Sequence, residues 1–258
     1  MPVFETAQRR LFYEWNGRDS GPVLVLSHSL GASHNLWNPQ IEELGERFRL
    51  LVYDQRGHGN SSHPAGAWSI AEFGRDVIEL LDFLDLERVS FCGLSLGGMV
   101  GLWLGQETPD RMEKLVLANC AARIEDPGLL RSRADLIRKL GLSCIAENVL
   151  DRWFTSGFRA SNPGLLAEIR EMLLATKAEG YAATCDALCA MDLMKGLGEM
   201  RTPSLVIYGR HDRATPPEWT RQFAGLMPDA RVIELDSAHL SNHEASAAFN
   251  AAVLEFLR

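Results

Sequence analysis

The chain has 258 residues, of which 46% are hydrophobic and 23% are charged, ordinary proportions for a water-soluble globular protein. Its net charge of −8 argues against nucleic acids and anionic membranes as partners, because both attract basic surfaces. No apolar run reaches the roughly 18 residues of a membrane-spanning helix, and the N-terminus lacks the apolar core of a secretory signal. We therefore expect a cytoplasmic protein, and its five scattered cysteines favour free thiols over a disulfide framework.

Short apolar segments alternate with helical patterns along most of the chain. The predicted strands are residues 23–27, 50–54, 89–93, 114–118, 205–209 and 231–235. Most of them are continuously apolar, which is typical of parallel strands that are covered on both faces. Alternating strands and helices predict an α/β fold with a mostly parallel sheet flanked by helices.

Two helix starts carry a capping-box pattern, in which a serine is followed three residues later by a glutamate. Ser69 and Glu72 precede apolar residues at helical spacing, so we predict a helix from residue 70. Ser241 and Glu244 form a second such pair ahead of the last helix.

Residues 124–201 interrupt the alternation, because they contain only helical periodicity and no strand candidate. One helix in this stretch begins at Asn162 and Pro163, a cap residue followed by a proline in the first turn. Strands resume after residue 201, so residues 1–123 and 202–258 are predicted to form one core. We interpret residues 124–201 as a helical cap inserted into that core.

Ser95 is the candidate nucleophile. It lies in Gly93-Leu94-Ser95-Leu96-Gly97, directly after a predicted strand and before a helix, which is the context of the G-x-S-x-G nucleophile elbow. Small residues flank the serine because the tight turn leaves no room for side chains. The following helix directs the positive end of its dipole at the serine, which favours a developing negative charge.

A serine hydroxyl needs a base to take its proton. His239 follows the last predicted strand and is the preferred base, whereas His243 is a rival expected to point toward solvent. His58 is interpreted as a structural residue of a turn. The acid that orients the imidazole is assigned to Asp212, after the strand at 205–209, because Asn119 occupies the alternative position and carries no charge.

The loop after the first predicted strand has the sequence His28-Ser29-Leu30-Gly31. Hydrolases with a nucleophile elbow take one oxyanion donor from this loop and the other from the residue after the nucleophile. The backbone N–H groups of Leu30 and Leu96 are therefore the predicted oxyanion hole. The alternative is that the loop is only a turn into the next helix.

Over nearly its whole length the chain resembles the α/β-hydrolase superfamily, and more narrowly the 3-oxoadipate enol-lactonases. The motifs behind this resemblance are HSLGASHNLWNPQ (28–40), YDQRGHGNS (53–61), FCGLSLGGMVG (91–101), NCAARI (119–124), RWF (152–154), EGYAATCDAL (179–188), YGRHDRATPP (208–217) and LDSAHLSNHE (235–244). The resemblance implies hydrolysis of 3-oxoadipate enol-lactone to 3-oxoadipate in aromatic catabolism, without a cofactor or metal.

Such a substrate is an anion, so an acidic protein needs a local cation at the pocket. On a helical wheel of residues 129–140, Arg133 lies within an arc formed by Leu129, Leu130, Leu136, Ile137 and Leu140. An arginine there is costly unless it is paired, so we predict that Arg133 faces the pocket and binds the substrate carboxylate. The alternatives are that it extends to the cap's edge or pairs with a protein acid. Trp153 is the candidate wall for the lactone ring, or else plain packing.

Two other classes of function remain open at this stage. The same machinery serves carboxylesterases, C–C-bond hydrolases and perhydrolases, and a small-ligand receptor can retain an unused triad. A serine nucleophile disfavours dehalogenases and epoxide hydrolases, which use aspartate. Cys185 and Cys189 lie four residues apart, but no His/Cys set completes a metal site, so we interpret them as packing residues. Nothing in the sequence determines the oligomeric state.

Overall fold

An eight-stranded sheet forms the centre of the computed structural model, which describes residues 2–6 and 9–258. The strands are β1 (Val3–Glu5), β2 (Arg10–Gly17), β3 (Val23–Ser27), β4 (Arg49–Tyr53), β5 (Val89–Leu94), β6 (Met112–Ala118), β7 (Ser204–Gly209) and β8 (Ala230–Leu235). Their order in the sheet is β1-β2-β4-β3-β5-β6-β7-β8. All pairs from β4 to β8 are parallel, which confirms the predicted fold class.

Two antiparallel strands, β1 and β2, extend one edge of the sheet and were not predicted from the sequence. β2 pairs with β4 through Tyr13 opposite Tyr53. Its sequence mixes charged, polar and aromatic residues, and only Leu11 and Phe12 are buried in it. A strand next to the edge of the sheet that is only partly buried does not need the continuous apolar run by which the buried parallel strands are recognised.

The described residues form eleven α-helices. They are α1 (Asn38–Gly45), α2 (Ile70–Phe83), α3 (Leu96–Glu107), α4 (Pro127–Leu140), α5 (Ala146–Trp153), α6 (Ser156–Ser161), α7 (Pro163–Ala175), α8 (Ala178–Cys189), α9 (Pro217–Ala224), α10 (Ser241–Glu244) and α11 (Ser246–Leu257). None of the helices in the described ranges is both long and apolar enough to cross a bilayer.

The two predicted capping boxes have different outcomes. At the start of α2 the Ser69 N–H donates to Glu72 at 2.7 Å, and the reciprocal contact is present. The second box is wrong, because Ser241 and Glu244 are the first and last residues of the short helix α10 and the final helix starts only at Ser246. Both side chains bond instead to residues around the candidate site.

Helices α4 to α8 all lie between β6 and β7, in the stretch predicted as the cap. The segments just before α4 and just after α8 meet where Arg123 pairs with Asp192 in an isolated antiparallel bridge. α4 packs against α8 with a face that buries Leu130, Ala134 and Ile137.

The apolar arc predicted on α4 is only partly buried. Leu129 and Leu140 are 58% and 63% exposed, so the buried face is rotated away from them. A helical wheel gives the direction of the apolar stripe but not which side of it the neighbouring helix covers.

The five cysteines occupy different environments and none is in a disulfide. Cys92, Cys120 and Cys185 are buried, Cys189 is half-buried, and Cys144 is exposed in the turn between α4 and α5. Burial raises the pKa of the Cys185 thiol to about 12. The described residues contain no cluster of three or more potential metal ligands.

Candidate active site

Ser95 sits between the end of β5 and the start of α3 with φ 57° and ψ −113°. A positive φ is strained for a residue with a side chain, and such strain persists only where the surroundings impose it. Glycines on both sides make the turn possible: a Cβ on Gly93 would overlap the Gly97 carbonyl, and one on Gly97 would overlap the Ser27 carbonyl. The G-x-S-x-G spacing is therefore a packing requirement of this turn.

The loop after β3 lies beside the elbow, because the Gly97 N–H donates to the His28 carbonyl at 3.1 Å. Leu30 lines the same cavity as Ser95, and the Leu96 N–H belongs to the first turn of α3, where helices lack internal acceptors. Within residues 2–6 and 9–258, neither the Leu30 nor the Leu96 N–H donates to a protein acceptor. Both predicted donors thus have a free N–H group next to the serine's segment.

Asp212 and His239 form a buried pair in which His239 Nδ1 lies 2.8 Å from Asp212 Oδ2. The carboxylate also accepts hydrogen bonds from Asn119 Nδ2, the N–H groups of Ala214 and Thr215, and the Thr215 hydroxyl, at 2.7 to 3.0 Å. Burial disfavours the charged carboxylate, but the attraction of His239 and these donors together hold the pKa of Asp212 below its usual value. The pair is therefore built to keep the acid ionised.

Asn119 follows β6 with φ 46° and contacts the acid from behind. Its Nδ2 lies 2.9 Å from Asp212 Oδ2, and its Oδ1 accepts from the Ser241 hydroxyl at 2.5 Å. The sequence analysis used Asn119 only to exclude a second acid. Asp212 and Ser241 lie 93 and 122 residues after Asn119 in the chain. Spacing along the sequence does not reveal that the fold brings the three side chains together.

Ser95 and His239 line one cavity, and both are almost fully buried, with 8% and 2% exposure. No hydrogen bond joins the hydroxyl to the imidazole in this structure; such contacts in ligand-free enzymes are often long and tighten only with substrate. The cavity volume of about 120 Å³ is below the roughly 300–1,000 Å³ of sites for drug-sized ligands. The site suits a small molecule.

The two other candidate histidines lie outside this arrangement. His243 does not point toward solvent as expected, because its Nε2 donates to the Leu36 carbonyl at 2.9 Å, and burial lowers its pKa. His58 is fully buried, donates from Nδ1 to the Arg56 carbonyl, and has its pKa lowered by burial to about 3. Its environment matches the structural role predicted for it.

Arg133 and Trp153 both line the cavity, where the sequence analysis placed them. Arg133 is half-buried and forms no salt bridge with any described carboxylate, whereas Arg138 on the same helix pairs with Glu179 and Asp186. Tyr181 lies next to Arg133 in the cavity, and burial raises the pKa of the Tyr181 hydroxyl to about 12. Arg133 is thus a cation that faces the cavity without a counter-ion among the described residues.

Arg152 is a second cation of the cavity, and the sequence analysis did not select it. Its Nε and Nη2 donate to the Arg213 carbonyl at 3.1 and 2.9 Å, which fixes the guanidinium. Burial, and then repulsion from Arg133, lower the pKa of Arg152. Arg152 directly precedes Trp153 in the sequence, but α5 is too short for its residue pattern to predict that Arg152 faces the cavity.

The chain shares its fold and much of its sequence with known hydrolases. The pattern of the Alpha/beta hydrolase family matches residues 17–252. A 3-oxoadipate enol-lactonase 2 from Acinetobacter baylyi is 38% identical over 98% of this chain and 97% of that protein. A putative carbamate hydrolase from Caulobacter is 33% identical over 96% and 95%. The crystal structure of the enol-lactonase from Burkholderia xenovorans superimposes with a TM-score of 0.97 at 40% identity, covering 99% of both chains. The chain therefore belongs to the alpha/beta hydrolase family, as a hydrolase similar to enol-lactonases.

Proposed function

We propose that this protein is a cofactor-free serine hydrolase that opens 3-oxoadipate enol-lactone to 3-oxoadipate, with Ser95, His239 and Asp212 as its catalytic triad. The observation that carries the proposal is one small cavity that contains a strained serine, a carboxylate-supported imidazole and two arginines. The names of the similar proteins support the choice of substrate.

In the first step Ser95 Oγ attacks the ring carbonyl while His239 Nε2 accepts the hydroxyl proton. Asp212 holds the proton of the imidazole on Nδ1, which leaves Nε2 free to act as the base. The N–H groups of Leu30 and Leu96 donate to the oxyanion that forms. Loss of one such donor typically costs about 2.7–4 kcal/mol of barrier.

The tetrahedral intermediate then breaks the ring C–O bond. The leaving group is an enol, which departs more readily than a simple alcohol and tautomerises to the ketone. His239 returns its proton to this leaving group, and the opened chain stays bound to Ser95 as an ester. A water molecule activated by His239 releases it in the second half-reaction.

The substrate carries a carboxylate, and the net charge of −8 would repel it at long range. Arg133 and Arg152 supply positive charge inside the cavity, and Arg133 has no carboxylate partner among the described residues. We assign Arg133 as the group that binds the carboxylate and Trp153 as the flat wall beside the ring. A guanidinium can hold a carboxylate with two parallel hydrogen bonds.

The test is a progress curve of the purified protein on the enol-lactone, with muconolactone and a neutral aryl ester as comparisons. We expect rapid opening of the enol-lactone, and nearly complete loss of turnover in Ser95→Ala. Ser132→Ala, on the exposed face of α4, is the matched control and should behave as wild type. Full activity of Ser95→Ala would contradict the mechanism.

The rival functions give different results in the same assay. Fast turnover of the aryl ester without lactone opening would favour a general esterase. The relative named as a putative carbamate hydrolase makes a carbamate the next substrate to include. A receptor with an unused triad would bind the lactone tightly and not convert it.

A further inference from the structure

The end of cap helix α5 and the residues just after it, 151–155, contact the loop that carries Asp212. Arg152 donates to the Arg213 carbonyl at 3.1 and 2.9 Å, and to the Ala214 carbonyl at 3.4 Å. Asp151 accepts a hydrogen bond from the Arg213 guanidinium at 2.7 Å. Arg213 and Ala214 directly follow Asp212, so the cap holds the segment next to the acid.

The same cap segment also contacts the loop that carries the imidazole. The N–H of Leu240 donates to the Trp153 carbonyl at 3.1 Å. The N–H of Ala238 donates to Glu244 Oε2 at 2.9 Å. Glu244 in turn accepts bonds from the Thr155 N–H at 3.3 Å and from the Thr155 hydroxyl. The residues before and after the imidazole are thus both tied to the cap.

The Glu244 carboxylate accepts hydrogen bonds both from the loop that carries His239 and from the cap. No other side chain among the described residues links that loop to the cap in this way. Among residues 2–6 and 9–258, the imidazole has two hydrogen-bond partners, Asp212 at 2.8 Å and the Thr215 hydroxyl at 3.4 Å. Both are on its Nδ1 side. Its Nε2 side, which must reach Ser95, depends on the position of the loop.

Arg152 and Trp153 face the cavity as well as the loops. A substrate seated against them therefore contacts the same segment that holds both triad loops. A cap that only packs on the core would not need hydrogen bonds to the residues on both sides of His239.

We propose that Thr155 and Glu244 are positioning residues: they tie the cap to the loop of His239, so that a substrate held under the cap places the imidazole on Ser95. This inference rests on the proposed triad. Neither residue touches the reacting atoms, and both act through the backbone on either side of the base.

The test replaces Thr155 by valine, which removes the hydroxyl bond to Glu244, and by serine, which keeps it. We expect Thr155→Val to lower kcat on the enol-lactone on the order of ten- to a hundredfold, the loss that misplacement of a reacting group by up to 1 Å produces. KM should change little, and Thr155→Ser should restore kcat. Inactivation of Ser95 by phenylmethanesulfonyl fluoride, which also needs the base, should slow in the same ratio.

Gln106→Ala is the matched control, because Gln106 donates to the Leu193 and Lys195 carbonyls at the other end of the cap, away from both triad loops. It should leave kcat and the inactivation rate unchanged. Wild-type rates in Thr155→Val, with only a lower melting temperature, would overturn the proposal, and so would an equal loss in Gln106→Ala. The sulfonyl fluoride arm needs no lactone, so failure of the proposed substrate would show separately, in the wild-type protein.

Discussion

Replacement of Arg133 by glutamine tests whether this residue recognises the charge of the substrate. The variant keeps a hydrogen-bonding side chain but removes the cation that lines the cavity without a described carboxylate partner. A hydrogen bond to a charged group contributes about 1.5–3 kcal/mol, which corresponds to roughly a 10- to 150-fold change in an equilibrium constant. Arg133 is half-buried and Arg152 remains nearby, so we expect the lower part of this range.

We also predict which kinetic constant Arg133→Gln changes. The carboxylate is remote from the ring carbonyl and its charge does not change during attack, so Arg133 should hold substrate and transition state equally. Removal of such uniform binding raises KM and leaves kcat nearly unchanged. Steady-state kinetics on the enol-lactone, at constant ionic strength, measure this separation.

Two controls isolate the charge effect. A neutral aryl ester has no carboxylate, so Arg133→Gln should hydrolyse it as well as wild type does. Arg138→Gln removes an arginine from the same helix that pairs with Glu179 and Asp186 instead of facing the cavity, and it should leave the KM for the lactone unchanged. An equal loss on the neutral ester, or no loss on the lactone, would refute the assignment of Arg133 to the carboxylate.

Three further substitutions probe the serine and its acid. Asp212→Asn should lower kcat by about 10⁴-fold, the loss seen when an amide replaces a triad acid. Because folding lowers the pKa of Asp212, its charge stabilises the protein above the ordinary aspartate pKa, and this contribution is lost as the pH falls through the lowered value; urea unfolding at several acidic pH values should show that loss in wild type and not in Asp212→Asn. Asn119→Ala removes a donor to this carboxylate and should lower the free energy of unfolding by about 1.5–3 kcal/mol, which a urea titration at pH 7 measures; a change under 0.5 kcal/mol would contradict the role given to Asn119. Gly97→Ala would overlap the Ser27 carbonyl, so its urea midpoint should fall well below that of wild type, whereas Gly157→Ala, with open space around it, should not.

The parts of the fold that the sequence predicted well are those governed by local patterns. Short, mostly apolar runs predicted the six parallel strands, and glycine spacing predicted the turn at Ser95, because backbone sterics at that turn leave few alternatives. Strand β2 was missed because its partial burial allows polar residues within it. The second capping box was wrong because a local pattern does not show distant partners. Ser241 and Glu244 bond instead to Asn119 and Thr155, which are far away in the sequence.

The site shows the same division. Ser95, Asp212 and His239 follow strands whose carboxyl ends meet at one edge, so strand positions were enough to bring them together. Arg152 and Asn119 were not identified, because their roles depend on which carbonyl or carboxylate the tertiary fold places beside them. Contacts between helices α4–α8 and the rest of the chain carry no periodic pattern.

The distribution of thiols makes the cap open to direct observation. Cys144 is the one exposed cysteine of the described chain, at the turn that joins α4 to α5, while Cys92, Cys120 and Cys185 are buried and Cys189 is half-buried. Since the thiolate is the reactive form and burial suppresses it, a maleimide dye should attach first at Cys144 in the native protein. A fluorophore there, between the two helices that carry the cavity arginines, would report in real time whether α4 and α5 shift when substrate enters.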